Sequence, residues 1–101
     1  MELTVELRNR ARNSMNAAPA AKLQAVLAAA EAKLAAGSLD EMTLFLARTA
    51  ASVIAARAEQ TVADNASRRA AGLPLVVSSE LEAECVASAA SAKNRVDALS
   101  K

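Results

Sequence analysis

Apolar residues recur at spacings of three and four along most of the chain, which is the period of an amphipathic α-helix. Three segments carry this pattern, at residues 17–36, 39–71 and 79–100. We therefore predict three long helices. Their apolar stripes are made of Leu23, Leu27, Ala30 and Leu34 in the first, Leu39, Met42, Leu46, Thr49, Val53 and Ala56 in the second, and Cys85, Ala89, Ala92, Val96 and Leu99 in the third.

Two glycines are placed where helices should end. Gly37 follows the first stripe, and Ser38 with Glu41 then matches a capping box, in which each side chain bonds the other residue's amide. Gly72, followed by Pro74, ends the second stripe. The tight turn at Gly37 predicts an antiparallel αα-hairpin with coiled-coil-like packing.

The last helix is predicted to begin at a second capping box, formed by Ser79 and Glu82. Because the second helix is longer than the first, we expect its later part, about residues 54–71, to be covered by the last helix folding back. One face of the arrangement stays open. The predicted fold class is all-α, an antiparallel helical hairpin or bundle of three long helices plus a short N-terminal helix, in one domain of residues 1–101.

The segment of residues 1–16 fits two patterns. Leu3, Val5 and Leu7 alternate with polar residues as in a β-strand, whereas Leu3, Leu7, Ala11 and Met15 form a helical stripe. A strand would need a partner strand, which only residues 75–77 could supply. We favour the helix.

Composition makes the predicted core thin. Alanine supplies more than a quarter of the 101 residues, and Phe45 is the only aromatic residue. Alanine has the highest helix propensity, but a buried methyl group contributes little transfer free energy beside a leucine or phenylalanine. The helices should form readily, and a second copy or another protein chain is expected to complete the core.

Charge and cysteine content indicate a soluble protein. The net charge is +1 and the charged residues are dispersed, so no overall field attracts nucleic acid or an anionic membrane. Charges interrupt every apolar run before it could span a membrane, and Glu2, Glu6 and Arg8 lie where a signal peptide would be apolar. With a single cysteine, Cys85, no intramolecular disulfide is possible, and we expect a cytoplasmic location.

The sequence argues against enzymatic chemistry. Histidine is absent, which removes the usual general base and the commonest metal ligand. With Gly37 and Gly72 as the only glycines, no glycine-rich phosphate loop can form. We therefore predict no catalytic residue, no metal, no cofactor and no small-molecule substrate. Cys85 is interpreted as a small buried apolar residue, with a redox role or an intermolecular disulfide as the alternative.

Arg8, Arg10 and Arg12 form the one local basic group and could contact phosphates. A small nucleic-acid-binding protein is therefore one alternative function. The chain lacks the aromatic residues that stack on single-stranded bases, and a helix-turn-helix at Gly37 would place Asp40 and Glu41 at its leading end. A solvated helix face is the favoured interpretation of the arginines.

Large apolar residues are densest around Phe45, where Met42, Leu44 and Leu46 lie on more than one face of the helix. One interpretation is packing against both neighbouring segments, and the other is a surface that receives a partner's amphipathic helix. The main functional hypothesis is a non-enzymatic interaction protein of bacterial or phage type, an adaptor, inhibitor or chaperone-like factor. Its predicted interface comprises Leu39, Met42, Phe45, Leu46, Val53, Leu81, Val96 and Leu99.

The stretch from Leu34 to Ala47, with Gly37 and Glu41 at its turn, resembles the helix-Gly-helix hairpin of small type III secretion co-chaperones. The resemblance implies a hetero-complex with a second chaperone and an aggregation-prone subunit. A structural subunit of a larger assembly is a further alternative.

Overall fold

The computed structural model describes residues 4–100, which form four α-helices and no strand. The helices are α1 (Val5–Ala17), α2 (Ala20–Ala35), α3 (Glu41–Ala71) and α4 (Ser79–Leu99). The all-α prediction is confirmed. The N-terminal segment is helical from Val5 onward, while Leu3 lies outside the described residues.

Three helices begin at a side chain that accepts a hydrogen bond from a backbone amide in the first turn. Thr4 accepts from Leu7 at 3.2 Å, and Ser78 accepts from Leu81 at 3.1 Å. Asp40 does the same for the amide of Thr43, at 2.7 Å. These bonds satisfy amides that have no partner inside the helix.

Both predicted capping boxes were wrong in their first residue. Asp40, and not Ser38, caps α3, because the Ser38 amide is still part of the preceding turn and donates to Lys33 O at 2.8 Å. Ser79 is the first residue of α4, so the extended residue before it, Ser78, is the cap. Where serines and acidic residues are adjacent, several of them could cap the helix, and the length of the preceding turn decides which one does.

The predicted helix ends at the two glycines are confirmed. Gly37 and Gly72 have φ angles of 72° and 70°, in the left-handed region that glycine adopts without steric cost. After each glycine the next amide donates back into the helix, from Ser38 to Lys33 O and from Leu73 to Arg68 O, both at 2.8 Å. These bonds close the carbonyl ends of α2 and α3.

The boundary between α1 and α2 differs from the predicted one at residues 16 and 17. Helix α1 continues to Ala17, and Pro19 is the N-cap of α2. A proline disfavours helical conformation in the residue before it, and Ala18 is accordingly extended, with ψ of 146°. The Arg57 guanidinium donates to Ala18 O at 2.6 Å and to Asn16 O at 3.0 Å, which holds this break against α3.

The core consists of two buried clusters, and the half-buried Ile54 packs against both. One cluster joins α1, α2 and α3, and the other joins α2, α3 and α4. The first contains Met15, Ala18, Leu23, Ala50 and Val53, and the second contains Leu27, Ala30, Ala47, Ala92 and Leu99.

The inner stripe predicted for α3 was right in part. Val53 is buried, and Leu39 and Leu46 pack against the core, but Ala56 is exposed. The other buried positions of α3 are Ala47, Ala50, Ala58 and Asn65. The prediction followed the larger apolar side chains. The interior of this protein instead accepts small residues on α3, because neighbouring helices lie against it on several sides.

Helix α4 follows α3 for longer than the predicted residues 54–71. At one end Arg69 pairs with Glu82 at 3.4 Å, and at the other Arg48 donates to Ser100 Oγ at 2.9 Å. Helix α2 lies on both, since Arg95 of α4 forms an ion pair with Glu31 of α2. No helix within residues 4–100 is long and apolar enough to cross a membrane.

Candidate functional site

A long groove runs between α3 and α4, and no residue of α1 or α2 lines it. It consists of two adjoining hollows of about 550 and 320 Å³ that share Ala55 and Ala89. We call it the α3–α4 groove. Its lining residues are Arg48, Ala51, Ser52, Ala55, Ala58, Glu59, Val62 and Ala63 on α3, and Val86, Ala89, Ala90, Lys93, Val96 and Asp97 on α4.

The groove is apolar along its floor and partly apolar at its rim. Val62 of α3 is 38% exposed and Val86 of α4 is 48% exposed, so both leave apolar surface in contact with water. Small side chains along two neighbouring helices leave a furrow into which the ridge of a third helix can pack. The groove therefore has the form of a helix-binding site.

Charged side chains lie toward the ends of the groove. Arg48, Lys93 and Asp97 lie together at one end, and Glu59 lies toward the other. Within residues 4–100 none of the four belongs to an ion pair, and Arg48 bonds only the Ser100 hydroxyl.

A second, smaller cavity of about 270 Å³ lies where α2 begins and meets α3 and α4. Leu23, Ile54 and Ala58 line it together with Leu81 and Cys85. Cys85 is a free, half-buried thiol on its wall. It is therefore less enclosed than the buried position that the sequence interpretation assigned to it.

The structure disperses the residues of the predicted interface. Val53 and Leu99 are buried in the core, whereas Leu81 is 47% exposed beside the smaller cavity. Val96 alone lines the α3–α4 groove. The remaining residues of the set are half-buried near the start of α3: Leu39, Met42, Phe45 and Leu46. A role in partner binding stays a prediction for all eight.

The predicted arginine group is divided by the helix that carries it. Arg8 and Arg12 lie over the Phe45 ring, with guanidinium carbons 5.9 and 5.7 Å from its centroid. Such cation–π contacts attach α1 to α3. Arg10 lies two residues from each, on the opposite side of α1, and is exposed.

Sequence reasoning missed Asn65, the one buried polar residue among residues 4–100. Its Oδ1 accepts from the Val76 amide at 2.9 Å, and its Nδ2 donates to Val77 O at 3.1 Å. The side chain thereby holds the connection between α3 and α4. The sequence carried no signal for it, because Asn65 shares its face of the helix with Ala58, seven residues earlier, and that face was not recognisable as buried from the sequence.

Two carboxylates have lowered pKa values, and both have a structural cause. The Thr43 amide and hydroxyl, with Lys33 Nζ at 3.0 Å, lower the pKa of Asp40 to about 2. The Arg95 guanidinium lowers the pKa of Glu31 and has its own pKa raised by that carboxylate. Both groups stabilise contacts between elements, and neither faces the α3–α4 groove.

Within residues 4–100, no three histidine, cysteine, aspartate or glutamate side chains are grouped so as to hold a metal ion. Comparison of the chain with protein families, with curated proteins and with solved structures found no match.

Proposed function

We propose that this protein is a non-enzymatic protein–protein interaction module that binds a partner helix in the α3–α4 groove. Its three longer helices act as an antiparallel bundle, with α1 attached to one side and the groove left on another. An adaptor, an inhibitor or a chaperone-like factor would each work in this way. With Cys85 unpaired, the cytoplasm is the location that we propose.

The observation that carries the proposal is the continuity of the groove along two neighbouring helices. Its floor is formed by alanines such as Ala51, Ala55 and Ala89, and its rim by exposed valines and unpaired charges. Burying the valines would remove apolar surface from water, at about 25 cal/mol per Å². The alanines would let a partner helix approach closely, toward the short end of the usual range of about 8–10 Å between axes.

The lining also supports binding over catalysis. Its polar groups are a serine, two cations and two carboxylates, and the sequence contains no histidine to activate a hydroxyl nucleophile. Charges at the rim of an apolar groove orient a partner and accelerate its association.

Site-specific photo-crosslinking in cells that naturally produce the protein tests the proposal. A benzophenone amino acid replaces Ala90, an exposed residue in the lining of the groove, and in a matched control it replaces Ala28, an exposed residue of α2. We expect a covalent adduct of discrete mass from position 90 and none of that mass from position 28. Absence of a discrete adduct at position 90, or the same adduct at both positions, would contradict the proposal.

A further inference from the structure

The side of α3 that faces the groove carries a stripe of residues whose charges are complementary to those of a second, antiparallel copy of the same stripe. Six residues at alternating spacings of three and four form it, in the order Phe45, Arg48, Ser52, Ala55, Glu59 and Val62. These spacings are those of the first and fourth positions of a heptad, which form the seam between paired helices. The last five line the α3–α4 groove, and Phe45 lies half-buried just beyond it.

Two copies of this stripe that lie antiparallel bring opposite charges together, and at their centre they bring small side chains together. If a second α3 lies antiparallel and is centred between Ser52 and Ala55, Arg48 meets the second copy's Glu59, and Glu59 meets its Arg48. At the centre Ser52 meets Ala55, and at each end Val62 lies beside Phe45, whose ring is already in contact with Arg8 and Arg12 of α1. A parallel pairing in register would instead place Arg48 against Arg48 and Glu59 against Glu59.

We propose that the occupant of the α3–α4 groove is a second copy of this chain, bound through antiparallel α3 helices about a two-fold axis. A two-fold interface requires each patch to be complementary to itself, and the order of charges on α3 meets that condition. The inference rests on the proposed function, because it names the partner of the same groove.

The neighbouring helix fits this arrangement. The second copy's α3 would lie in the groove, over both α3 and α4. Val86 and Ala89 of α4 would then contact the side of that helix, and Val62 of the first copy would become buried. The second copy's Glu59 would approach the end of the groove that holds Arg48, Lys93 and Asp97. Two cations and one carboxylate give that end the net positive charge that a glutamate requires. The seam from Phe45 to Val62 would be about 25 Å long at 1.5 Å per residue.

Sedimentation equilibrium over a range of concentrations tests the pairing on the full chain and on charge-reversal variants. We expect a dimer for the unchanged protein. Arg48→Glu and Glu59→Arg should each raise the dissociation constant on the order of tenfold or more, because each places like charges opposite each other twice. The variant carrying both changes restores the pairs and should dimerise again, and an equimolar mixture of the two single variants should form a heterodimer.

Matched reversals outside the groove, Arg10→Glu and Glu80→Arg, control for the change in net charge and should leave the dimer intact. Circular dichroism checks that every variant is helical. A protein that stays monomeric at every concentration, or a dimer that none of the groove variants weakens, would overturn the inference. A monomer that still gives a discrete crosslink to another protein from position 90 would refute the second copy and leave the proposed function standing.

Discussion

Asn65 shows how one polar side chain can position a connection between helices. It is fully buried and uses both its oxygen and its nitrogen on backbone groups of residues 76 and 77. A buried carbonyl or amide that loses its partner costs free energy, because it can no longer bond water. The position of the segment after Gly72 therefore depends on a side chain near the C-terminal end of α3.

Asn65→Ala should lower the free energy of unfolding by about 1–3 kcal/mol, since it removes two hydrogen bonds between a buried side chain and part-buried backbone groups of residues 76 and 77. Denaturant unfolding followed by circular dichroism measures the loss, and hydrogen exchange should show faster exchange of the Val76 amide. Asn94→Ala, the same change at an exposed residue of α4, is the matched control and should leave that exchange rate unchanged. Unchanged exchange at Val76 in Asn65→Ala would refute the role given to Asn65.

Asp40 gives the stability of the protein a component that depends on pH. Its pKa is lowered from 3.8 to about 2, chiefly by the amide and hydroxyl of Thr43. A carboxylate whose pKa is lowered by folding stabilises the folded state above its unfolded pKa, and that contribution disappears as the pH falls. The loss should lie between about pH 4 and pH 2.

Asp40→Asn tests this component, because an asparagine can cap the helix but does not titrate in this range. We expect the unchanged protein to melt at a higher temperature than the variant at pH 6, and the difference to shrink as the pH is lowered toward 2. Thermal melts at several pH values measure it. A difference that stays constant with pH would show that the Asp40 charge contributes nothing.

At the scale of elements, α2 contributes, like α3, to both core clusters. Leu23 lies in one and Leu27 in the other, both fully buried, whereas Leu34 near its end is 42% exposed. Polar contacts add to this packing, since Gln24 accepts from Arg95 at 2.9 Å and donates to Ser88 Oγ at 3.2 Å. Helix α2 is thereby fixed against α4 as well as against α3.

Leu27→Ala should lower the free energy of unfolding by about 2–5 kcal/mol, because it removes a fully buried side chain and leaves a cavity among residues of three helices. Leu34→Ala, on the same helix, should cost much less. Both are measured by denaturant unfolding. Equal losses for the two variants would contradict the arrangement of α2 described here.

The same elements show what a sequence can predict. Helix ends at Gly37 and Gly72 were predictable, because a left-handed residue after a helix has a local chemical signature. The burial of Ala47, Ala50 and Ala58 was not, because an alanine has the same hydrophobicity whether or not a neighbouring helix covers it. In the candidate site, only Val96 was predicted to belong to an interface, since the groove exists through the tertiary arrangement of α3 and α4.

At the scale of the whole molecule, the other three helices cover α3 unevenly. Helices α1, α2 and α4 lie against it, and the groove occupies the flank that remains. The molecule is elongated, with principal extents of 51 × 28 × 20 Å, so that a large part of each long helix lies near the surface. The partner helix that we propose would supply the burial that this alanine-rich core lacks.

The accessibility of a thiol in the α3–α4 groove shows whether a partner helix covers the groove. In a Cys85→Ala background, Ala90→Cys places a single thiol in the groove, and Ala28→Cys places one on the exposed face of α2. We predict that a membrane-permeable maleimide modifies both thiols equally in dilute purified protein, but modifies position 90 much more slowly than position 28 inside the producing cells. Equal rates at the two positions inside the cells would mean that the groove stays uncovered, and the account would be wrong.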